Sequence, residues 1–529
     1  MKKFLSILIV LTMLLSIASV PAFAEEPQIS LYSGTPDLDF WGALYDDSGK
    51  PVTKEVTIMT ADQLMGFAEM SSSNAFEGWT IKLGADMVIN TGNAGEWADT
   101  AKAPAHKWKG GNSYGCAFAG TFDGQGHVIS GLYTVGSSSK AAALIAYASG
   151  NATIQNVSIV NSYFTGEAYV SAVVGSYEPK KSDVCLTIKN VHVQDSFVHS
   201  STQDSAGILG RVGGNTETNV SLKLEDISFV GGSITVGRHS GGVIGRIYNA
   251  KAYENGVALS MNRIALDTDI TLSHSNTDLK AGAVIGNLNG FREAKVSNIF
   301  VGGTLKVTLT NAINTGAFVG ILSNSAANVS GSNRALLKVE NALIALKCEN
   351  VNAVWFNRSA TYNGTDIISA TDELTNAYYD SDVLKIDATG ATGCKAVMGK
   401  DTPDAETGKS FATLKGTDAG FTGWTKVTGD YPIPMAITAI DVNVYKNYVA
   451  PPPADDTEET TTAPEETTEA ETTGNNGNET QTQAPAESET TPNTTEKKSG
   501  CSSVVGASCA LIVLIALGGA TVATKKSKK

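Results

Sequence analysis

The chain has 529 residues, 42% of them hydrophobic, which is enough for a large core or several domains. Aromatic residues are scarce at 7% and glycine is abundant at 53 residues, a balance that fits a structure with many corners better than a compact α/β enzyme. The net charge of −14 is uneven: the stretch 451–500 holds twelve Asp and Glu against Lys497 and Lys498, so the rest carries only about −4, and no basic groove suited to nucleic acid is present.

Met1–Ala24 reads as a secretory signal peptide. Lys2 and Lys3 form the basic start, Phe4–Ile17 the apolar run, and Ala22-Phe23-Ala24 an A-x-A cleavage site. Residues 25–57 are irregular and read as an N-terminal extension lying on the first coil of a repeat structure. Thr60 and Gln63 then have the spacing of a capping box, and Leu64, Phe67, Ala68 and Met70 have helical spacing. A short amphipathic helix over about Ala61–Met70 is expected, placed to cover the open end of the repeats. Thr80–Leu83 and Met87–Ile89 read as strands, 90–115 as a polar insertion with Trp97 and Trp108, and Asp123-Gly124-Gln125-Gly126 as a tight turn between strands.

From residue 143 a phrase of small, apolar, apolar, small residues recurs: Ala143–Ala146, Ala172–Gly175, Gly207–Gly210, Gly242–Gly245, Ala283–Gly286 and Ala317–Gly320. The starts lie 29, 35, 35, 41 and 34 residues apart, a period that signals stacked repeats. A second phrase shares the period, as Ile154–Ile159, Ile188–Val193, Leu224–Phe229, Val296–Val301 and Val339–Ile344, with Met261–Leu266 as a looser copy. Its alternating β-branched residues are strand-like. Each period thus holds about three short strands and no helix, which predicts a solenoid whose apolar rows are buried only by stacking. The small residues are expected at tight corners. Asn156, Asn190, Asn298 and Asn341 fall at equivalent places, either as turn residues or stacked as an amide ladder.

Residues 60–132 and the small-apolar-apolar-small phrase resemble bacterial surface proteins with GLUG motifs, named for a Gly-Leu-apolar-Gly core. Gly207–Gly210 and Gly242–Gly245 match the Gly-apolar-apolar-Gly shape; the copies at 172, 283 and 317 have Ala first, and that at 143 has Ala at both ends. The resemblance covers roughly residues 55–440, including Tyr378-Tyr379-Asp380 and the closing Trp424…Tyr431-Pro432. Such repeats occur in secreted and cell-surface proteins, some beside metallopeptidase domains of the IgA-cleaving type. The resemblance implies a β-helical surface module and no catalytic residue.

After Ala345 the repeat decays, and Phe411–Pro434 reads as a final irregular coil within a C-terminal cap. Residues 448–500 are Thr, Glu, Pro and Asn with almost no apolar residue, a composition that stays disordered and extended. Val504–Ala523 is long and apolar enough to span a bilayer, and Lys525, Lys526, Lys528 and Lys529 place its end in the cytoplasm.

The predicted fold is therefore all-β: a right-handed parallel β-helix (solenoid) with a short N-terminal capping helix, a disordered stalk and one C-terminal transmembrane helix. The segments are a signal peptide at 1–24, an extension at 25–57, the β-helix at 58–345, C-terminal coils and cap at 346–447, the stalk at 448–500, the span at 501–524 and a basic tail at 525–529.

The search for chemistry is sparse. No His-Glu-x-x-His, G-x-S-x-G, P-loop, dinucleotide fingerprint or G-G-x-G-x-D repeat occurs. Cys116, Cys185, Cys348, Cys394, Cys501 and Cys509 make no C-x-x-C pair; the first four read as buried thiols, with a disulfide between two of them left open. His192 and His199 read as surface histidines, and Asp123 as a turn residue rather than an acid catalyst. Arg211, Arg238, His239 and Arg246 fall near adjacent corners and are the candidates for binding an acidic glycan, against a plain solvated corner. The expected function is a non-enzymatic cell-surface adhesin or ligand-binding β-helix, exported and anchored in the cell membrane, with a glycan, host or matrix ligand, no cofactor, no metal and no nucleic acid. A polysaccharide lyase or glycoside hydrolase is the alternative, and a structural spacer the third. Aligned exposed aromatics on a flank would favour sugar binding.

Overall fold

The computed structural model describes residues 28–451, interrupted at 111–113, 137–140, 214–218, 249–255, 274–279, 309–313, 324–335, 350–355, 359–360, 363–364, 367–372, 385–397, 405–407, 415–417, 419–420 and 427–430. The signal segment, residues 452–500 of the stalk, the apolar C-terminal segment, His274, Cys394, Cys501 and Cys509 lie outside the described residues, whereas Tyr448, expected at the start of the disordered stalk, is bonded to the body. No helix among the described residues is long and apolar enough to cross a membrane.

The chain is mostly strand, and its long ladders are parallel. The β-branched row predicted from the second phrase is one continuous stack: Val56, Ile81, Phe122, Ile154, Ile188, Leu224, Met261, Val296, Val339 and Leu374 lie in register on successive rungs. All but the half-buried Leu374 are buried. A second parallel sheet stacks Ile145, Val174, Leu209, Ile244, Ile285, Val319 and Phe356 in the same way. No rung closes its own core; each row is buried by the row above and below it, the defining property of a solenoid.

Neighbouring strands in a sheet lie about 4.8 Å apart, and that spacing explains the fourth residue of the small-apolar-apolar-small phrase. Gly175, Gly210, Gly245 and Gly286 do not have positive φ. A Cβ added to them would instead lie 2.7, 2.5, 2.3 and 2.6 Å from the carbonyl oxygens of Ala146, Gly175, Gly210 and Gly245, one rung back. The glycine is demanded by the neighbouring rung, and not by the corner.

Conformational demand appears elsewhere. Asn156, Asn190, Asp226, Arg263, Asn298, Asn341 and Asn376 all have φ between 50° and 56° and occupy one bulge column. Asn and Asp tolerate this left-handed conformation best among non-glycine residues. Their amides stack. Asn156 Nδ2 donates to Asp123 Oδ1 at 3.0 Å and Asn190 Nδ2 to Asn156 Oδ1 at 2.9 Å; Asn341 donates to Asn298 and Asn376 to Asn341, each at 3.1 Å. Between these two runs Arg263 replaces the amide contact with an ion pair to Glu225 and Asp226. Asp123 is the turn residue expected: its carboxylate accepts from Gln125 N–H at 3.0 Å. Burial opposes its charge, but hydrogen bonds from Asn156, Gln125 and Gln155 outweigh it and hold the carboxyl below its ordinary value.

The helix forms at Ala61–Met70 with Thr60 as N-cap, accepting from Gln63 N–H. Gln63 Oε1 reaches back to Met59 N–H, so the box closes one residue earlier than in the standard pattern. Phe67 packs on Phe76 and Phe122 with ring centroids 5.3 and 5.8 Å away, closing the N-terminal end of the core. Segment 25–57 supplies rungs of its own: Ile29–Leu31 pairs with Asp86–Val88, and Glu55–Ile58 with Thr80–Leu83.

The C-terminal segment lies along the flank. Phe300, Leu343 and Tyr378 stand in register on the outer side of successive rungs and form an apolar cluster with Phe411, Phe421, Trp424 and Ile433. The chain then runs back across the stack. Ile440 exchanges two hydrogen bonds with the Gln194 amide (2.9 and 3.1 Å), and the Tyr445 hydroxyl donates to buried Asp86 at 2.7 Å. The Tyr448 hydroxyl donates to the Ile29 carbonyl at 2.9 Å. Val442 and Tyr445 fill an apolar patch with Val88, Val128 and Val160.

Gly245→Ala is expected to lower stability by about 1–3 kcal/mol, the usual cost of overpacking, in a urea titration, whereas helical Gly42→Ala, which meets nothing within 4 Å, leaves the midpoint level or raises it slightly. Tyr445→Phe leaves buried Asp86 short of a donor and is expected to cost about 1–3 kcal/mol in the same titration.

Candidate ligand-binding site

Two columns of the solenoid meet at the edge of the second sheet. In the first, Tyr169, Asp204 and His239 stand at successive corners with φ of 58°, 56° and 57°. In the second, the strands Val174–Tyr177, Leu209–Val212, Ile244–Tyr248 and Ile285–Asn289 place Ser176, Arg211, Arg246 and Asn287 in register. Leu209, Val212, Ile244 and Ile247 belong to the core, which leaves the two arginines on the outer side. Bulky residues rarely adopt positive φ, and such strain costs on the order of 1–3 kcal/mol and concentrates at functional sites.

Asp204 is fully buried and organises the group. Its Oδ1 lies 2.9 Å from His239 Nδ1, its Oδ2 accepts from Arg246 Nη1 at 3.3 Å, and Arg211 Nη1 is 4.0 Å from that same oxygen. Arg211 donates to Glu178 Oε1 at 2.6 Å and to the Tyr169 hydroxyl at 2.7 Å, with its guanidinium 4.1 Å from the Tyr169 ring centroid. Arg246 lies 4.4 Å over the Tyr248 ring. Ser176 donates to Glu178 at 2.6 Å. Burial pushes the His239 pKa below its ordinary value; Asp204 opposes this, and Arg246 and Arg238 reinforce it. A neutral His239 facing a carboxylate carries its proton on Nδ1, so Nε2 presents a lone pair. Burial disfavours the Arg211 charge, but Glu178, Tyr169 and Asp204 outweigh it and raise its pKa.

Of the four residues singled out from sequence, the structure gathers Arg211, His239 and Arg246 around Asp204. Arg238 lies one residue before His239 and donates to Gln203 Oε1 at 2.6 Å, on the rung before. These are largely buried, partnered side chains rather than a solvated corner. Sequence reasoning missed Tyr169, Glu178, Asp204 and Asn287. The signal was present: Tyr169, Asp204 and His239 are spaced by 35 residues, as are Ser176, Arg211 and Arg246.

Other candidates are structural. His192 is half-buried, with its ring nitrogens each 3.0 Å from Ser228 Oγ and Asn190 Oδ1. Tyr133, Tyr163 and Phe197 do stack in register, but Trp97 and Ala94 of the polar insertion cover them, and Tyr133 and Tyr163 are only 7% and 8% exposed. A cleft of about 460 Å³ lies between Glu77–Thr80, Gly115–Thr121 and Lys180–Lys181, whose lysines bind the Tyr114 and Gly115 carbonyls and Glu77. Cys116, Cys185 and Cys348 are half-buried and not fully buried as expected; Cys185 and Cys348 are free thiols, and burial pushes Cys348 up to about 12. Among the described residues no group of three or more His, Cys, Asp or Glu is placed to hold a metal ion.

The buried histidine makes stability depend on pH. Unfolding exposes His239 and restores its ordinary value of 6.5, so the unfolded chain binds a proton that the folded one resists. Stability is expected to be level above that value and to fall as pH drops through it. His239→Asn, which keeps a neutral side chain tolerant of positive φ, flattens that slope in urea titrations between pH 7.5 and about 5.

No family model matches this chain, and no curated protein matches it. A solved structure from Bacteroides ovatus, provisionally described as an immunoglobulin A1 protease, aligns with a TM-score of 0.41 and 15% identity, covering 74% of this chain and 95% of its own.

Proposed function

We propose that this is a non-enzymatic surface protein, an adhesin or ligand-binding right-handed parallel β-helix of the GLUG-motif type, which holds a host, matrix or glycan ligand on its flank. The single observation that carries the reading is the polar cluster around Asp204, which joins Arg211, Arg246 and His239 on an outer edge of the stack. A spacer would need only solvated side chains there. The parallel ladders support the handedness, since crossovers between parallel strands are right-handed in nearly all proteins. The A-x-A signal and the apolar segment at 504–523 support export and retention at the cell membrane, with the acidic threonine-rich segment as stalk.

One observation favours a second reading as an enzyme on extracellular polysaccharide: Asp204 orients His239 as a carboxylate orients a general base.

The test is binding of the full-length protein, displayed on cells or held in detergent, to a glycan array and to mucin and matrix proteins. Saturable binding to at least one of these, with no new reducing ends or unsaturated products on prolonged incubation, is the expected result. Product formation would transfer the cluster to the enzymatic reading, and failure with every ligand would leave the spacer.

A further inference from the structure

Six buried side-chain atoms among the described residues lack a hydrogen-bond partner: Ser130 Oγ, Ser171 Oγ, Arg211 Nε, His239 Nε2, Arg246 Nε and Asn287 Oδ1. Four of the six lie in the one cluster around Asp204. Each buried polar group left unmade costs roughly 1–3 kcal/mol, and folded proteins keep few of them. Their concentration at one place therefore calls for an occupant.

The chemistry of the four defines it. Arg211 Nε and Arg246 Nε are donors on in-register residues of adjacent strands, so their backbones are about 4.8 Å apart. Each guanidinium is already fixed on its other side, Arg211 by Glu178 and Arg246 by Asp204, and each lies over a tyrosine ring. Neither can turn away to find another acceptor without breaking those contacts. His239 Nε2 is an acceptor in the tautomer Asp204 imposes, and Asn287 Oδ1 is an acceptor on the rung after Arg246. His239 and Asn287 are 4% and 3% exposed. Both arginine side chains are 21% exposed, so the cluster borders solvent through its arginines, while the four unpartnered atoms lie covered beneath that surface and a ligand reaches them by displacing the cover.

We infer that this cluster binds a carboxylate-bearing sugar of the uronic acid type, its carboxylate on the Arg211 and Arg246 donors and a hydroxyl on the His239 and Asn287 acceptors. The inference rests on the flank-binding reading and narrows it to one ligand class. A neutral sugar would satisfy the two acceptors and offer the two Nε–H donors no charged acceptor, their guanidinium ends being already paired with Glu178 and Asp204. An inorganic anion would do the reverse. A group carrying both carboxylate and hydroxyl meets all four atoms.

The experiment is calorimetric titration of the full-length protein in detergent with oligogalacturonate, with oligomers of glucuronate, with neutral glucose oligomers of equal length, and with acetate. Saturable binding of an acidic oligomer and none of the neutral one is expected. Arg246→Lys keeps a cation beside Asp204 but removes Nε–H, and Asn287→Leu removes the acceptor. Each is expected to weaken binding about tenfold or more, as loss of one hydrogen bond to a charged or buried group does, with an unchanged unfolding midpoint for Arg246→Lys. Acidic oligomers that bind both variants as tightly as the parent, acetate that competes at equal concentration, or ordered water alone on the four atoms with no sugar bound, would each overturn the inference. If other glycans on the array bind while the uronates do not, the flank-binding reading survives and only this assignment falls; silence on both loses both.

Discussion

The fixed distance between hydrogen-bonded parallel strands governs this molecule. Once the backbone is committed to rungs about 4.8 Å apart, every side chain along a column must fit against its own equivalent one period away. The core row from Val56 to Leu374 meets that condition with apolar residues, mostly β-branched or aliphatic, with Phe122 and Met261 among them. The column from Gly175 to Gly286 meets it by having no side chain, because a Cβ would enter the carbonyl of the rung before. The bulge column meets it with amides that bond to one another. One spacing thus selects three quite different compositions, according to whether a column points inward, lies against its neighbour or bends.

The same constraint makes chemistry out of repetition. Residues 35 apart in the chain become direct neighbours, so Tyr169, Asp204 and His239 form a line although nothing in the local sequence joins them. A line of identical charges would repel. Here the line changes identity at each step, and the adjacent one runs from Ser176 through two arginines to Asn287. Opposite charges meet along the diagonal, as Arg246 does with Asp204, and Arg211 reaches the Tyr169 hydroxyl in the same way. The positive φ at Tyr169 and His239 is held by the rungs on either side, since a corner clamped between two others has no room to relax.

What could be read from sequence was what repeats or what is local. The capped helix at Ala61–Met70 announced itself through Thr60 and Gln63, and the rungs through their period. The amide ladder was visible in four asparagines, and the structure carries it on to Asn376 and Asp123. Arg263 shows where the pattern bends: the bulge persists, and an ion pair to the preceding rung stands in for the amide. The glycine at the end of the repeated phrase was visible but its reason was not, because a clash with another rung leaves no trace in the residue's own neighbours. Glu178 and Asp204 escaped because an isolated carboxylate looks the same whether buried or solvated. The returning C-terminal segment was illegible for a deeper reason. Its partners, Asp86 and Ile29, lie some four hundred residues earlier, outside any periodic or local signal.

That returning segment decides how the body responds to traction. The described chain ends at Pro451, just after Tyr448 is tied to Ile29 and Tyr445 to Asp86. A pull applied at Pro451 would therefore be borne by the first rungs, through Tyr445 and Tyr448, and not by the last. The last described turn is thereby a clasp on the first rungs, and opening it would free the two ends of the described chain together.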